Sequence, residues 1–101
     1  MDLEKIERLT DGLPWMRLDQ ARKLAERFAE WLPLNILEIG TYHGTGACYF
    51  GEMVRERGGH VTTVDLTSSP PERSNEIVRA RIEQCGLDNV TVVKHEIGAE
   101  G

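Results

Sequence analysis

Three glycines and one aspartate form the group of residues best suited to bind a ligand. Gly40, Gly44 and Gly46 follow an apolar segment at residues 35–39, and Asp65 ends a second apolar segment further along the chain. Glycines let the backbone turn sharply and approach a ligand, because no Cβ stands in the way. A carboxylate at the end of a neighbouring strand can accept hydrogen bonds from both hydroxyls of a ribose. The combination predicts a site for an adenosine-type cofactor.

The spacing of the glycines separates the nucleotide cofactors from one another. A dinucleotide site has the order G-x-G-x-x-G, whereas the order here is G-x-x-x-G-x-G. Aligning the dinucleotide pattern on Gly44 and Gly46 places Tyr49 at the third glycine, which disfavours NAD. A P-loop is excluded, because its lysine is missing: no lysine lies between Lys23 and Lys94.

Two helical patterns precede the glycine segment. Apolar residues between Leu3 and Leu9 predict a short helix, which Pro14 and its neighbours end. A second set has the period of an amphipathic helix that stops at Pro33, and this set is Ala21, Leu24, Ala25, Phe28, Ala29 and Leu32. We therefore expect residues 1–33 to form N-terminal helices.

Strand and helix patterns alternate in residues 34–101. Strands are predicted at about residues 35–39, 60–65 and 90–93, with a helix from near Gly46 to the glycine pair at 58–59. A capping box of Ser69 and Glu72 opens another helix, whose inward face is predicted to be Ile77, Val78, Ile82 and Cys85. Right-handed crossovers then give an α/β fold, with a parallel sheet in the spatial order 3-2-1. Ligands of such sheets bind at the carboxyl ends of the strands, where the glycine segment and Asp65 are expected.

The glycine segment resembles a sequence motif of a known enzyme family. Glu38-x-Gly40-x-x-x-Gly44-x-Gly46 resembles the first motif of the class I S-adenosylmethionine-dependent methyltransferases, and residues 61–65 resemble the second. The variant Glu-Ile-Gly-Thr-Tyr-His-Gly is closest to the O-methyltransferase branch with the catechol-type enzymes and to small methyltransferases of bacterial biosynthetic clusters. Trp15-Met16 and residues 19–22 are similar to the helix that precedes the sheet in the second group. The resemblance spans roughly residues 13–97 and covers the first half of such an enzyme.

The resemblance implies a Rossmann-like fold, S-adenosylmethionine as cofactor, and methyl transfer to an oxygen of a small-molecule acceptor. Tyr42 is expected to border the methionyl part, and Glu96 corresponds to an acidic position near the adenine amino group. The full set of implied cofactor-binding residues is Glu38, Gly40, Tyr42, Gly44, Gly46, Asp65 and Glu96. In the catechol-type branch the base and metal ligands come from later strands. No catalytic residue or metal ligand is therefore assigned, and the 101-residue chain alone is expected to be inactive on substrate.

Each of these residues also has a purely structural interpretation. The glycines could form only a tight turn, Asp65 could cap a helix, and Glu38 could hold backbone amides. His43 could act as a base, but an ordinary loop position is the favoured interpretation. Tyr42 and Glu96 could be solvent-exposed. Trp15 and Trp31 could line a substrate entrance, although packing of the N-terminal helices is favoured.

Composition narrows the class of protein and its partners. Lys and Arg total 12 and Asp and Glu total 17, for a net charge of −5, which argues against nucleic acid as the main partner. No apolar run approaches the ~18 residues of a membrane span, and the first residues lack the pattern of a signal peptide. Cys48 and Cys85 lack the C-x-x-C spacing, so reduced, buried thiols and a cytoplasmic location are expected.

Two alternatives from other functional classes remain open at this point. The first is a catalytically inactive Rossmann-like module that self-associates, since an exposed edge of strand one would favour a homodimer. The second, less favoured, is an NAD-dependent oxidoreductase. The first is supported by the small number of predicted strands, because the resemblance implies a larger sheet, of which this chain would be a truncated portion.

Overall fold

Helices and strands alternate along the chain in the predicted order. The computed structural model describes residues 1–10, 16–66 and 75–95. Its elements are α1 (Leu3–Thr10), α2 (Leu18–Trp31), β1 (Asn35–Ile39), α3 (Thr45–Arg55), β2 (His60–Leu66), α4 (Asn75–Gln84) and β3 (Val90–His95). The capping box predicted at Ser69 and Glu72 and the tryptophan at position 15 lie outside the described residues.

The three strands form a parallel sheet in the order β1-β2-β3, which confirms the predicted order. Ile36 lies opposite Val61, and Glu38 lies opposite Thr63. Two strands are longer than expected, because β2 continues to Leu66 and β3 to His95. The sequence had predicted that His95 follows the strand, but it is the last residue of β3.

One face of the sheet is buried beneath helices and the other is open. Val61, Thr63 and Val92 point to the buried face, where α3 and α4 pack. The alternate residues point the other way, and Leu37 and Ile39 are 66% and 76% exposed. Successive residues of a strand face opposite sides, so a strand with one covered face shows this alternation. The described helices thus leave an apolar surface of the sheet open.

The first helix packs on α3 through apolar and polar contacts. Leu3 and Ile6 belong to the buried core. The carboxylate of Glu52, which is fully buried, accepts a hydrogen bond from the Asp2 amide at 2.7 Å and two from Arg55 at 3.1 Å. Burial alone would raise the pKa of Glu52, but these hydrogen bonds outweigh it and the pKa lies below its ordinary value. The acid therefore remains ionised and ties the start of the chain to α3.

The second helix is buried over only its first three turns. Ala21 is fully buried, and the Phe28 ring lies 6.0 Å from that of Phe50 on α3. The predicted inward positions Ala29 and Leu32 are exposed, and so is Trp31, for which packing was the favoured interpretation. The final turn extends beyond the Phe28–Phe50 contact, so its apolar residues have no core beneath them.

The inward face of α4 differs from the prediction at one residue. Val78 and Ile82 are buried, and Cys85 follows them into the core. Ile77 was predicted to join them but is 41% exposed. The buried residues are spaced at i, i+4 and i+7, which defines one helical stripe. Ile77 lies about 100° from Val78 around the axis and falls outside that stripe.

Candidate functional site

A short loop joins β1 to α3 and has the backbone geometry of a glycine turn. Gly40 has φ of 96°, and its N–H donates to the Val64 carbonyl at 2.7 Å, which extends the sheet into the loop. Gly44 has φ of 85°, precedes the first residue of α3, and donates to the Thr41 carbonyl at 2.9 Å. Both angles lie in the left-handed region that favours glycine.

The glycines are also needed because side chains would collide with their surroundings. A Cβ on Gly40 would lie 3.0 Å from the ring of Tyr42, and one on Gly44 would lie 3.0 Å from Val78. A Cβ on Gly46 would overlap Oε2 of Glu38. The backbone of these glycines is therefore packed closely against the Tyr42 ring, α4 and the Glu38 carboxylate.

Asp65 faces this loop from the neighbouring strand, as the sequence predicted. Its Oδ2 accepts a hydrogen bond from the Tyr42 N–H at 3.0 Å. Tyr42 itself has φ of 52°, an uncommon value for a residue with a Cβ. The structure thus places an acid and the turn side by side, across the gap between β1 and β2.

Glu38 lies at the centre of a small hydrogen-bonded network. Its Oε1 accepts a hydrogen bond from the Thr63 hydroxyl at 2.6 Å, and Thr63 lies 2.7 Å from the hydroxyl of Thr41. Burial raises the pKa of Glu38 to about 6, the hydrogen bond from Thr63 opposes that rise, and the charge of Asp65 adds to it. Glu38 therefore contacts side chains of the sheet, and the alternative that it holds backbone amides finds no support in its described hydrogen bonds.

A cleft of about 390 Å³ opens beside the loop, within the usual range for small-molecule sites. It is lined by residues of β1, the loop and α3, namely Leu37, Glu38, Ile39, Gly40, Thr41, Tyr42, His43, Thr45, Gly46 and Phe50. Four of the predicted site residues are in that group, and they are Glu38, Gly40, Tyr42 and Gly46. Gly44 supports the loop at the start of α3, Asp65 binds it from β2, and the glutamate at position 96 lies outside the described residues.

Two polar atoms at the cleft were missed by sequence reasoning. The Thr45 hydroxyl and Nδ1 of His43 are buried and have no hydrogen-bond partner within the described part of the chain. Thr45 is only 2% exposed and begins α3, where the first backbone N–H groups have no partner inside the helix. Buried polar groups normally find partners, so unpaired ones beside a cleft indicate space for a polar ligand or water.

The fourth helix supports the loop, which the sequence also did not reveal. Nη1 of Arg81 donates to the His43 carbonyl at 2.7 Å, and Val78 packs against Gly44. Arg81 is far from the glycine segment in sequence, so only the packing of α4 brings it there. This contact accounts for His43 as a loop residue held through its backbone, in keeping with the favoured interpretation.

Two other kinds of feature are absent from the described residues. Residues 1–10, 16–66 and 75–95 contain no cluster of three or more His, Cys, Asp or Glu side chains that could hold a metal ion. In the same ranges, no helix has both the length and the apolar character that crossing a bilayer requires.

Solved structures similar to this chain, two of them named as methyltransferases, are more than twice its length. The S-adenosylhomocysteine-bound methyltransferase PaMTH1 of Podospora anserina has 21% identity and a TM-score of 0.72, with 97% of this chain and 42% of that one covered. An O-methyltransferase from Bacillus cereus, in complex with S-adenosylhomocysteine, has 29% identity and a TM-score of 0.67, with 91% and 42% covered. Cofactor-bound Rv0187 from MTB has 24% identity and a TM-score of 0.68, with the same coverage. The chain spans less than half the length of these structures.

A family model supplies the sequence-level comparison. A search of curated proteins returned no match. The family described as a methyltransferase domain matches residues 37–99, which include the end of β1, the glycine loop, α3, β2, α4 and β3. The match covers more than half of the 101 residues. The fold, the glycine loop and the family match agree, and the chain belongs to the methyltransferase-domain family.

Proposed function

We propose that this chain is the cofactor-binding portion of an S-adenosylmethionine-dependent methyltransferase that acts on an oxygen of a small molecule. The observation that carries the proposal is the pairing of Asp65 with the Tyr42 amide across the glycine turn. A ribose seated at that point would meet a carboxylate on one side and bare backbone on the other. Two similar structures hold S-adenosylhomocysteine, the product form of the same cofactor.

The residues present fit such a cofactor by shape and by polarity. Gly40 and Gly46 border the cleft, and the Thr45 hydroxyl supplies a buried polar atom beside it. We propose that Asp65 holds the ribose, that Glu38, Gly40 and Tyr42 border the methionyl part, and that Gly44 and Gly46 shape the loop. The acid at position 96 is proposed for the adenine.

The chemistry then divides between cofactor and protein. The bound cofactor supplies an activated methyl group, and the chain's residues orient it and exclude water. Proton removal from the acceptor is assigned to no residue of these 101, so we propose that they do not transfer methyl groups unaided. Release of S-adenosylhomocysteine by the purified chain in the presence of an acceptor would contradict this.

Calorimetry with S-adenosylhomocysteine tests the proposed site at Asp65. Asp65→Asn keeps an oxygen that can accept the Tyr42 amide but removes the charge, and Asp65→Ala removes both. Loss of a hydrogen bond to a charged group costs about 1.5 to 3 kcal/mol, so we expect binding to weaken about tenfold or more in both variants. Asp88→Ala, which removes an exposed acid before β3, is the matched control and should bind like the wild type. Equal affinity of all four proteins would refute the ribose contact.

The second candidate function is an inactive module that self-associates through β1. Within the described residues β1 pairs only with β2, and its exposed Leu37 and Ile39 favour association. A protein that dimerises without binding S-adenosylhomocysteine would support this candidate over the first. The nicotinamide alternative is set aside, because the family match and the glycine order both disagree with it. Free, buried Cys48 and Cys85 support our proposal of a reducing compartment such as the cytoplasm.

A further inference from the structure

A chain of three side chains links the glycine loop to the buried acid of β1. The hydroxyls of Thr41 and Thr63 lie 2.7 Å apart, and the Thr63 hydroxyl donates to Oε1 of Glu38 at 2.6 Å. Thr41 is 3% exposed and Thr63 is fully buried. A threonine hydroxyl has one proton. Because Thr63 donates its only proton to the ionised Glu38, its oxygen must accept the proton of Thr41. The donor and the acceptor of both hydrogen bonds are therefore fixed.

The network sets where the Glu38 carboxylate can lie. Oε1 is bound to Thr63 on β2, while Oε2 lies against Gly46 in the first turn of α3. The carboxylate is therefore held between a strand and a helix, on the wall of the cleft. We propose that Thr63, with Thr41 behind it, is a positioning residue that holds Glu38 ionised and aimed at a positively charged part of the bound cofactor. This inference rests on the proposed function.

The charges around Glu38 support a cationic ligand group. From β2 it faces Asp65, a like charge, and from α3 it faces the Cys48 thiol. The positive charge of Arg81 on α4 acts on the Cys48 thiol. In the described part of the chain, no basic side chain forms an ion pair with Glu38. An acid buried without a cation is unfavourable. A ligand that carries an ammonium or sulfonium group would supply the missing charge.

This arrangement predicts how ligand affinity changes with pH. Burial raises the pKa of Glu38 to about 6, and the Thr63 hydrogen bond and the Asp65 charge modify it in opposite directions. A cationic ligand favours the ionised acid, so affinity should rise as the pH increases through about 6 and then level off. Removing the Thr63 hydroxyl removes a donor to the ionised form. The pKa of Glu38 should then rise, and the midpoint of the affinity profile should move to higher pH.

Thr63→Val tests the inference with two neighbouring controls. Thr62→Val removes a hydroxyl one residue earlier on β2, on the opposite face of the sheet, and Thr63→Ser restores the hydroxyl at the tested position. Two quantities are measured for each protein from about pH 4 to 8, a range that spans the ordinary pKa values of glutamate and imidazole groups. The first is the carboxyl-carbon NMR titration of Glu38 without ligand. The second is the affinity for S-adenosylhomocysteine, which carries the ammonium group.

The expected pattern separates positioning from a general structural effect. Thr63→Val should raise the Glu38 titration midpoint and weaken binding about tenfold near pH 6, with a smaller loss at pH 8. Thr63→Ser and Thr62→Val should resemble the wild type in both measurements. An unchanged Glu38 titration in Thr63→Val, or the same loss of affinity at every pH, would overturn the inference. A shifted titration with no binding by any protein would support the positioning of Glu38 and refute the proposed function.

Discussion

Glu38 occupies a position that is unfavourable for folding, and we propose that it serves ligand binding. Its carboxylate is largely buried, faces the like charge of Asp65, and depends on one hydroxyl hydrogen bond for support. Residues at binding sites often retain such unfavourable interactions, because the ligand completes them. The raised pKa of Glu38 is therefore a statement about stability as well as about binding.

Glu38→Gln should stabilise the folded chain at neutral pH. Folding raises the pKa of Glu38 from 4.5 to about 6. Each pKa unit corresponds to about 1.4 kcal/mol, so ionising Glu38 costs about 2 kcal/mol more in the folded protein than in the unfolded one. The folded state binds this proton more tightly than the unfolded state. The stability that the proton contributes is thus complete below about pH 4.5 and is lost as the pH rises through about 6.

Urea unfolding at pH 7 and at pH 4 measures this effect. Glutamine cannot ionise but keeps an oxygen that accepts the Thr63 hydrogen bond. The variant should therefore gain about 2 kcal/mol at pH 7 and almost nothing at pH 4. Glu83→Gln removes an exposed acid of α4 and serves as the control, with no expected gain at either pH. A variant less stable than the wild type at pH 7 would show that the carboxylate is favourable to the fold.

At the scale of elements, the start of α3 determines the shape of the site. Gly44 turns the chain into the helix, and Gly46 lets the first turn lie against the Glu38 carboxylate. Further along the same helix, Gly51 lets α3 approach β3, since a Cβ there would lie 2.9 Å from Val90. Gly46 and Gly51 lie on the same helix but serve different functions. The first makes room for a charged group and the second makes room for a strand.

Gly46→Ala and Gly51→Ala should therefore have different consequences. Alanine favours a helix over glycine by about 1 kcal/mol, and in Gly46→Ala this gain offsets part of the cost of moving Glu38. We expect a small change in stability and a clear loss of affinity for S-adenosylhomocysteine. Gly51→Ala should lower stability by about 1 to 3 kcal/mol through overpacking, with affinity retained in the folded fraction.

Thermal unfolding and calorimetry on both variants decide between these expectations. The second variant is the control for the first, because both add one methyl group to the same helix. If Gly46→Ala binds as tightly as the wild type, the contact between α3 and Glu38 has no influence on the ligand site.

At the scale of the whole molecule, the described helices cover only one side of the sheet. The rows Leu37–Thr62–Thr91 and Ile39–Val64–Val93 cross the other side, and the outer edge of β1 has no partner strand in the described ranges. Apolar sheet surfaces with open edges tend to associate. The similar structures are more than twice as long as this chain, and the described part of this chain contains three strands.

Leu37→Lys should weaken self-association of this chain. Leu37 is 66% exposed in the middle of β1, so a lysine there can reach solvent in the monomer. Charged side chains on an edge strand oppose its pairing with a strand of a second copy. Sedimentation velocity over a range of concentrations should show a dimer for the wild type and a monomer for the variant. Leu9→Lys, on the exposed side of α1, adds the same charge elsewhere and should leave the dimer intact. A wild-type chain that sediments as a monomer at all concentrations would contradict the proposed homodimer.

Local residue patterns were sufficient to predict the elements, their order, and the glycine loop with its neighbouring acid. Periodicity located the helices and strands, since residue spacing reports which side of an element is buried. Glycine spacing and Asp65 identified the loop and its acid, because left-handed turns and carboxylate acceptors leave a direct mark on residue type. Thr63 lies two residues before Asp65 on the same face of β2. This spacing is the sequence signal that could have identified Thr63 as a neighbour of the site.

Only the tertiary structure decided which distant residues meet and which apolar residues remain exposed. Arg81 and Val78 reach the loop because α4 packs beside it, and Trp31 and Leu32 are exposed because α2 extends past its support. The raised pKa of Glu38 likewise depends on burial and on Asp65, which the chain brings together from separate strands. A local pattern specifies the conformation of neighbouring residues, whereas burial and electrostatic environment are properties of the packed whole.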